Sequence, residues 1–131
     1  MKEVTIVTTN EVGALAKVAE ALGGVGVNIE AIAAYGKDGD AIFRIITNDS
    51  ATVAHTVPKV PGVKKVSEAD VILLKLINRP GELGKITRKL SNRGVNLESL
   101  YIVSRKQDFT EIAVKPEDSQ FELAKEVLGV K

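Results

Sequence analysis

The sequence predicts an α+β fold in which two βαββαβ modules follow each other in tandem, residues 1–69 and residues 70–131. Three observations predict it. An internal repeat recurs at an offset of 68 residues, β-branched runs alternate with amphipathic helical segments, and glycines punctuate both copies at the same places. Each copy holds about 65 residues, enough for one small core.

The repeat runs without a gap through the most informative part of each copy. Residues 10–17 (NEVGALAK) align with residues 78–85 (NRPGELGK), and Asn, Gly, Leu and Lys coincide. Further on, residues 26–30 (GVNIE) align with residues 94–98 (GVNLE). Chance produces isolated matches, but an ungapped series that also keeps its turn residues indicates a duplication.

The first half of each copy predicts a strand followed by a helix. Residues 4–9 and 71–77 are aliphatic or β-branched runs that end at an Asn, which is typical of a strand entering a turn. The next segments switch to a helical period. The two apolar stripes are Leu15, Val18 and Leu22 in the first copy and Leu83, Ile86 and Leu90 in the second. Pro80 is expected near the first helical position, and Gly26 and Gly94 follow the helix ends.

The second half of each copy predicts a hairpin and a further helix. The remaining strands are expected at residues 27–35, 40–47 and about 64–69 in the first copy, and at 95–103 and 108–115 in the second. Ser50 is expected to cap the short helix of the first copy, and Asp118 or Ser119 that of the second. The second copy ends at Lys131, so most of its last strand is expected to be missing, which leaves an open sheet edge.

A βαββαβ order forms a ferredoxin-like antiparallel sheet with both helices on one face. Counted by alternation from Val27 and Val95, the aliphatic residues Ile32, Leu100 and Ile102 are expected on the face without helices. An apolar face of this kind predicts association, and we expect a homodimer or a higher homo-oligomer.

Composition excludes several classes of protein. The net charge is +1 with no clustered basic stripe, so no nucleic-acid partner is expected. There are no Cys residues and one His, His55, which leaves no set of metal ligands, and we expect no metal and no cofactor. No apolar run reaches the roughly 20 residues of a membrane span, so we expect no membrane partner and a cytoplasmic location.

Two motifs of the second copy resemble those of the ACT family. They are the string Asn78-Arg79-Pro80-Gly81-Glu82-Leu83 after an aliphatic strand and the string Gly94-Val95-Asn96-Leu97 after the helix. Residues 10–15 and 26–29 are a less complete version of the same pattern. The resemblance covers essentially the whole chain, one ACT module per repeat. The chain as a whole is similar to small stand-alone tandem ACT proteins that carry no enzyme domain.

The resemblance implies a site for an amino acid or a similar small effector at the interface between two modules. The strand-to-helix loop of one module would face the second strand of the other. The residues it implies are Asn10, Val12, Gly13, Ala14, Leu15, Asn28 and Ile29 in the first copy, and Asn78, Pro80, Gly81, Glu82, Leu83, Asn96 and Leu97 in the second. In serine-sensing ACT domains a His precedes the loop Asn by two residues; here Thr8 and Leu76 stand there, which argues against serine itself.

The chemistry of the loops is compatible with this implication. Gly13 and Gly81 allow a ligand to approach the backbone, and an Asn amide both donates and accepts hydrogen bonds. Asn10 and Asn78 are equally compatible with a simpler role as helix caps, and the two glycines with turn geometry alone.

Two hypotheses about function follow. The first is a non-catalytic regulatory protein that senses a small effector and acts on a partner enzyme. The alternative is a protein-interaction or dimerisation module without a ligand, which the open sheet edge favours. No nucleophile stands beside a base and no two carboxylates show catalytic spacing, so we expect no enzyme.

Overall fold

The computed structural model describes residues 2–131 and confirms the α+β fold with antiparallel sheets. It divides into two compact units, Met1–Asp70 and Val71–Lys131, called here the first and second modules. The first module contains β1 (Lys2–Thr9), α1 (Ala14–Gly24), β2 (Ala31–Lys37), β3 (Asp40–Thr47), α2 (Ser50–Thr56) and β4 (Val63–Asp70). The second contains β5 (Ile72–Ile77), α3 (Glu82–Asn92), β6 (Leu97–Arg105), β7 (Phe109–Pro116) and α4 (Phe121–Leu128).

The two sheets differ by one strand. The first has the order β2-β3-β1-β4, and the second has the order β5-β7-β6. Among residues 2–131 the second module has no strand equivalent to β4, as the sequence predicts, and β5 pairs only with β7. None of the described helices is long and apolar enough to cross a membrane.

Each module has its own core between its sheet and its helices. In the first, Ile6 and Phe43 are opposite each other in the β1–β3 ladder and pack with Leu22 of α1. In the second, Ile112 of β7 and Leu90 of α3 are both nearly inaccessible. Burial of a side chain of this size contributes roughly 1.5–3 kcal/mol. The apolar stripes predicted for α1 and α3 therefore end in the residues that anchor the helices.

The second strand of each module begins later than predicted. β2 begins at Ala31 instead of residue 27, and β6 begins at Leu97 instead of residue 95. Val27 and Val95 are buried, but they belong to connections that leave the preceding helices through glycines with positive φ. Burial of an aliphatic residue does not distinguish such a connection from a strand.

The later start corrects the expected positions of three aliphatic residues. In the ladders, Ile32 is opposite the buried Ile45, and Ile102 is opposite the buried Ile112. Directly opposite residues point to the same face of a sheet. Leu100 likewise packs against the core of the second module. The prediction that these side chains lie on the face without helices is wrong, because alternation was counted from residues outside the strands.

The helix starts also differ in detail. Asp49 caps α2 by accepting a hydrogen bond from the Thr52 N–H at 3.2 Å, so Ser50 is the first helical residue and not the cap. Residues 118–120 form a 3₁₀ turn, and α4 begins only at Phe121, so neither Asp118 nor Ser119 caps it. The carboxylate of Asp118 instead lies 3.4 Å from the Lys115 ammonium. Short polar side chains can satisfy several local partners, which is why the spacing did not identify the cap.

Candidate functional site

The strand-to-helix loops of both modules end in a left-handed glycine. Gly13 has φ 86° and Gly81 has φ 88°, and each is the residue before its helix. A side chain on either residue would strain the backbone in this conformation. Neither helix has a side-chain cap, so Asn10 and Asn78 do not act as caps. Pro80 also lies outside its helix, since it precedes Gly81.

Asn78 ties its loop to the hairpin between β6 and β7. Its side-chain amide donates to the carbonyl of Lys106 at 2.8 Å, and its backbone N–H donates to the carbonyl of Asp108 at 3.0 Å. In the first module the backbone N–H of Asn10 makes the corresponding bond to the carbonyl of Gly39 at 3.1 Å. The repeated Asn therefore closes the same end of each sheet.

Asn96 is held by the opposite end of the second module. Its backbone N–H donates to the Gln120 side-chain oxygen at 2.8 Å, and its side-chain amide donates to the carboxylate of Glu117 at 2.7 Å. The equivalent Asn28 donates to the carboxylate of Glu30 at 3.1 Å. Asn28 and Asn96, which precede β2 and β6, thus both have partners within their own modules.

In the second module Asn78 of the strand-to-helix loop and Asn96 before β6 do not come together. Asn78 follows Ile77, which pairs with Phe109 at one end of β7, whereas Leu97 pairs with Pro116 at the other end. β7 has eight residues, so these ends are about 24 Å apart at a rise of about 3.4 Å per residue. One module alone therefore cannot present both amides to one small ligand.

The other predicted residues fall into two groups. Ala14, Ile29 and Leu97 are partly buried and pack against the cores. Val12 is fully exposed, and Leu15 and Leu83 are 39% and 47% exposed. The first group has a structural role in its module, while the second is accessible to a ligand or a partner.

A recess of about 110 Å³ lies in the second module between the β5–α3 loop and the ends of β6 and β7. Its apolar lining consists of Leu76, Ile77, Leu83, Leu100, Ile102 and Ile112. Its polar lining consists of Asn78, Arg79, Glu82, Arg105 and Thr110. Three of the predicted residues, Asn78, Glu82 and Leu83, are thus brought to one concave surface.

The charges of this recess are only partly paired. Glu82 accepts from the Arg79 guanidinium at 2.6 Å and from the Lys85 ammonium at 3.2 Å. These two hydrogen bonds, that from Arg79 first, lower the pKa of Glu82, so its carboxylate stays ionised at neutral pH. Arg105 has no hydrogen-bond or ion-pair partner among residues 2–131. The recess therefore contains one uncompensated guanidinium.

Sequence reasoning did not single out Arg105, Thr110 or Ile112. In the β5–β7 ladder Leu76 is opposite Thr110. The alternation along the two strands, which brings both side chains to one face, was present in the sequence. Arg105 reaches the same face only because the β6–β7 ladder shifts its register between Ile102 and Ser104. Irregularities of this kind reorient side chains and are not visible in a hydrophobic pattern. No group of three or more His, Asp or Glu side chains in the described part of the chain is arranged to hold a metal ion.

Comparison with known proteins identifies the second module. Residues 71–129 match the family model of the ACT domain. No curated protein sequence matches the chain significantly.

Several solved structures share the fold over nearly the whole chain. Protein BT0572 from Bacteroides thetaiotaomicron is 25% identical, with a TM-score of 0.84 over 98% of this chain and 85% of that chain. The regulatory subunit of aspartate kinase from Thermus thermophilus is 12% identical, with a TM-score of 0.70 over 98% of this chain and 90% of that chain. The structure of the α and β subunits of an aspartokinase is 16% identical, with a TM-score of 0.71 over 97% of this chain and 88% of that chain. The second module therefore matches the ACT domain family, while the similarity of the whole chain to these structures is one of fold.

Proposed function

We propose that the chain is a non-catalytic regulatory protein whose second module binds an amino acid or a similarly small effector. The observation that carries this proposal is the recess beside the β5–α3 loop, which combines an apolar interior with polar groups at its mouth. Small-molecule sites in proteins are typically concave and apolar with a few convergent polar groups. The recess is too small for a nucleotide and suits a compact metabolite.

The chemistry of the lining supports binding rather than catalysis. Thr110 is the only hydroxyl residue among the described lining residues, and no His or Lys lies beside it there to activate it. The Glu82 carboxylate is held ionised by two cations, which suits an electrostatic role and not that of a general acid. The charged and aliphatic side chains of the lining suit recognition of a ligand by its charge and shape.

A regulatory role agrees with the proteins that share this fold, one of which is a regulatory subunit of aspartate kinase. We propose that effector binding shifts the chain between two states that differ in their affinity for a cytoplasmic partner enzyme. A ligand can do so only by its difference in affinity for those states. The implied placement of the effector between two modules stays a prediction.

A thermal-shift screen over the common amino acids tests this function. A ligand that binds only the folded chain at a concentration a hundred times its Kd stabilises it by about 2.7 kcal/mol, which raises the Tm by several degrees. Isothermal titration calorimetry then measures the Kd and the stoichiometry. The absence of any shift at 10 mM, together with no heat of binding, would remove the proposal.

The edge strand of the second module favours a second candidate function, dimerisation of the chain through β5. In the first module β1 is paired on both sides, by β3 and β4, whereas within residues 2–131 β5 is paired by β7 alone. Its hydrogen-bonding groups suit a second copy of the same strand. A two-fold pairing centred on Leu74 places Leu73 opposite Lys75 of the other copy, so the two lysines do not oppose each other.

Sedimentation equilibrium of the wild type and of a Leu74→Pro variant tests this candidate. A proline cannot donate to a ladder, so a dimer built on β5 would dissociate in the variant. Circular dichroism of the variant checks that the module still folds. A dimer that persists in a folded variant, or a monomeric wild type, contradicts pairing through this edge.

A further inference from the structure

We infer that the effector is an α-amino acid with a short branched aliphatic side chain, bound in the recess of the second module with its carboxylate on Arg105. This inference rests on the proposed function and deepens it, because it names the class of ligand and the residue that anchors it. Three properties of the recess carry it: the chemistry of its interior, the free charge at its mouth and an accessible hydroxyl in its lining.

The interior of the recess is aliphatic and small. Leu76, Leu100 and Ile112 come from three neighbouring strands and form its floor. An engineered cavity of about 150 Å³ accommodates benzene, so a recess of about 110 Å³ suits an aliphatic group of about three or four carbons. Valine, leucine and isoleucine have side chains of this size, whereas an indole exceeds it.

The mouth of the recess has one arginine available for an anion. Arg79 is already bound to Glu82 at 2.6 Å, but Arg105 has no such partner among the described residues. A guanidinium pairs with a carboxylate through two parallel hydrogen bonds, which are among the stronger ones that proteins form. Arg105 is therefore the group that the ligand carboxylate fits.

Two further groups complement the rest of an amino acid. Thr110 is 7% exposed and lines the recess, and its hydroxyl has no hydrogen-bond partner among residues 2–131. This oxygen is accessible, because no buried side-chain oxygen or nitrogen of the described residues lacks a partner, and a hydroxyl can both donate to and accept from a ligand. Glu82 binds its two cations through one oxygen, Oε1, which leaves Oε2 for the ligand ammonium. A zwitterion matches this pair of opposite charges better than a simple anion does.

The first module lacks all three properties at equivalent ladder positions. Phe43 stands where the second module has Ile112, and Ala41 stands where it has Thr110. Gly36 stands where it has Arg105, and the side-chain amide of Asn10 approaches Gly36 so closely that an added Cβ would lie 3.0 Å from it. The inference therefore assigns the ligand to the second module.

Calorimetric titration of the full chain with a graded set of ligands tests the ligand class. The set consists of glycine, alanine, valine, leucine, isoleucine, phenylalanine, tryptophan, aspartate and lysine, with the 2-oxo acids of valine and leucine. We expect the tightest binding among the three branched amino acids. Loss of one methylene from a ligand in an apolar pocket weakens binding roughly tenfold, so alanine should bind far more weakly. The 2-oxo acids keep the carboxylate but lack the ammonium, and they should also bind more weakly.

Two pairs of variants test the residues. Arg105→Gln should weaken binding of the best ligand by roughly tenfold to a hundredfold, while the exposed Arg93→Gln, outside the recess, leaves it unchanged. Ile112→Phe fills the floor with the side chain that the first module tolerates at this position, and it should abolish binding. Phe43→Ile, the reciprocal change, should leave the affinity unaltered. Circular dichroism and the Tm without ligand check that each variant folds.

The outcomes separate this inference from the proposed function. If no amino acid binds, the proposed function itself fails. If an amino acid binds but the preferred one is acidic, basic or aromatic, the function stands and the ligand class is wrong. If a branched amino acid binds but Arg105→Gln and Ile112→Phe bind it as the wild type does, the site is elsewhere and the inference is overturned.

Discussion

The two modules share one order of strands and helices up to β4, but they use equivalent positions of the sheet differently. The first module fills the end of its sheet with Phe43 and closes it with Asn10 over Gly36. The second has the smaller Ile112 there and an arginine, Arg105, in place of the glycine. A duplicated backbone thus provides the scaffold, while a few side chains determine whether a recess exists.

A second difference concerns buried charge. In the first module Glu3 is 1% exposed and accepts from the Arg44 guanidinium at 2.9 Å. In the second module the buried charged residue is Lys115, whose ammonium donates to the carboxylate of Glu98. Burial alone would lower the pKa of Lys115, but the hydrogen bond and charge of Glu98, with a contribution from Asp118, raise it overall. Each module therefore has an ion pair on its sheet with one buried member, Glu3 in the first and Lys115 in the second.

The largest expected effect concerns the two cores. Leu22→Ala and Leu90→Ala should each destabilise their own module by about 2–5 kcal/mol, because both side chains are fully packed. Amide hydrogen exchange should show the loss of protection in the first module for Leu22→Ala and in the second for Leu90→Ala. Equal losses in both modules for either variant would contradict separate cores.

Breaking the ion pair of the first module should cost nearly as much. Arg44→Met keeps the aliphatic volume but removes the guanidinium from the buried Glu3, and we expect a loss of about 3 kcal/mol. Urea denaturation measures the change, with the exposed Arg93→Met as a control expected within about 0.5 kcal/mol of the wild type. A loss below about 1 kcal/mol for Arg44→Met would show that the pair contributes little.

The ion pair of the second module should contribute less, because Glu98 is 42% exposed. Glu98→Gln should cost about 1–2 kcal/mol, whereas its repeat equivalent Glu30→Gln, which is exposed, should change stability by less than about 0.5 kcal/mol.

The pH dependence of this contribution follows from the raised pKa of Lys115. The contribution is complete below the ordinary lysine value of 10.5 and is lost as the pH rises through the higher folded value. The difference in Tm between the wild type and Glu98→Gln should therefore stay constant from pH 7 to 10 and shrink above it. A difference that disappears below pH 9 would contradict the raised pKa.

The smallest expected effect lies on the helices. Gly84 in α3 corresponds to Ala16 in α1, and a Cβ added to Gly84 meets nothing within 4 Å. Gly84→Ala should therefore stabilise the second module by about 0.4–1 kcal/mol, through the lower entropy of the unfolded chain. Gly36→Ala is the contrasting variant, since its Cβ would press on Asn10, and we expect no gain there. The midpoints of urea unfolding distinguish the two.

Periodicity and glycine placement were sufficient to predict the fold. The helical stripes ending at Leu22 and Leu90, the strand over residues 40–47 and the missing last strand of the second module all agree with the structure. The repeat helped because each copy restricts the interpretation of the other. The starts of β2 and β6 were missed, because Val27 and Val95 are as buried as strand residues are.

The candidate site was only partly accessible to the sequence. Asn78 and Glu82 were predicted from the loop motif and line the recess. Arg105 was not predicted, because its orientation depends on a register shift that leaves no mark on hydrophobic alternation. Asn78 and Asn96 lie at opposite ends of one sheet, and predicting this required the register of the ladders, which their spacing in the sequence does not give.

The most direct test of the central claim is amide hydrogen exchange of the full chain with and without saturating leucine. If the second module holds the effector, protection should rise at residues 76–83 and 100–112, which surround the recess, and stay unchanged at residues 8–15 and 32–43 of the first module. Protection that rises only in the first module, or nowhere while calorimetry detects binding, would contradict it.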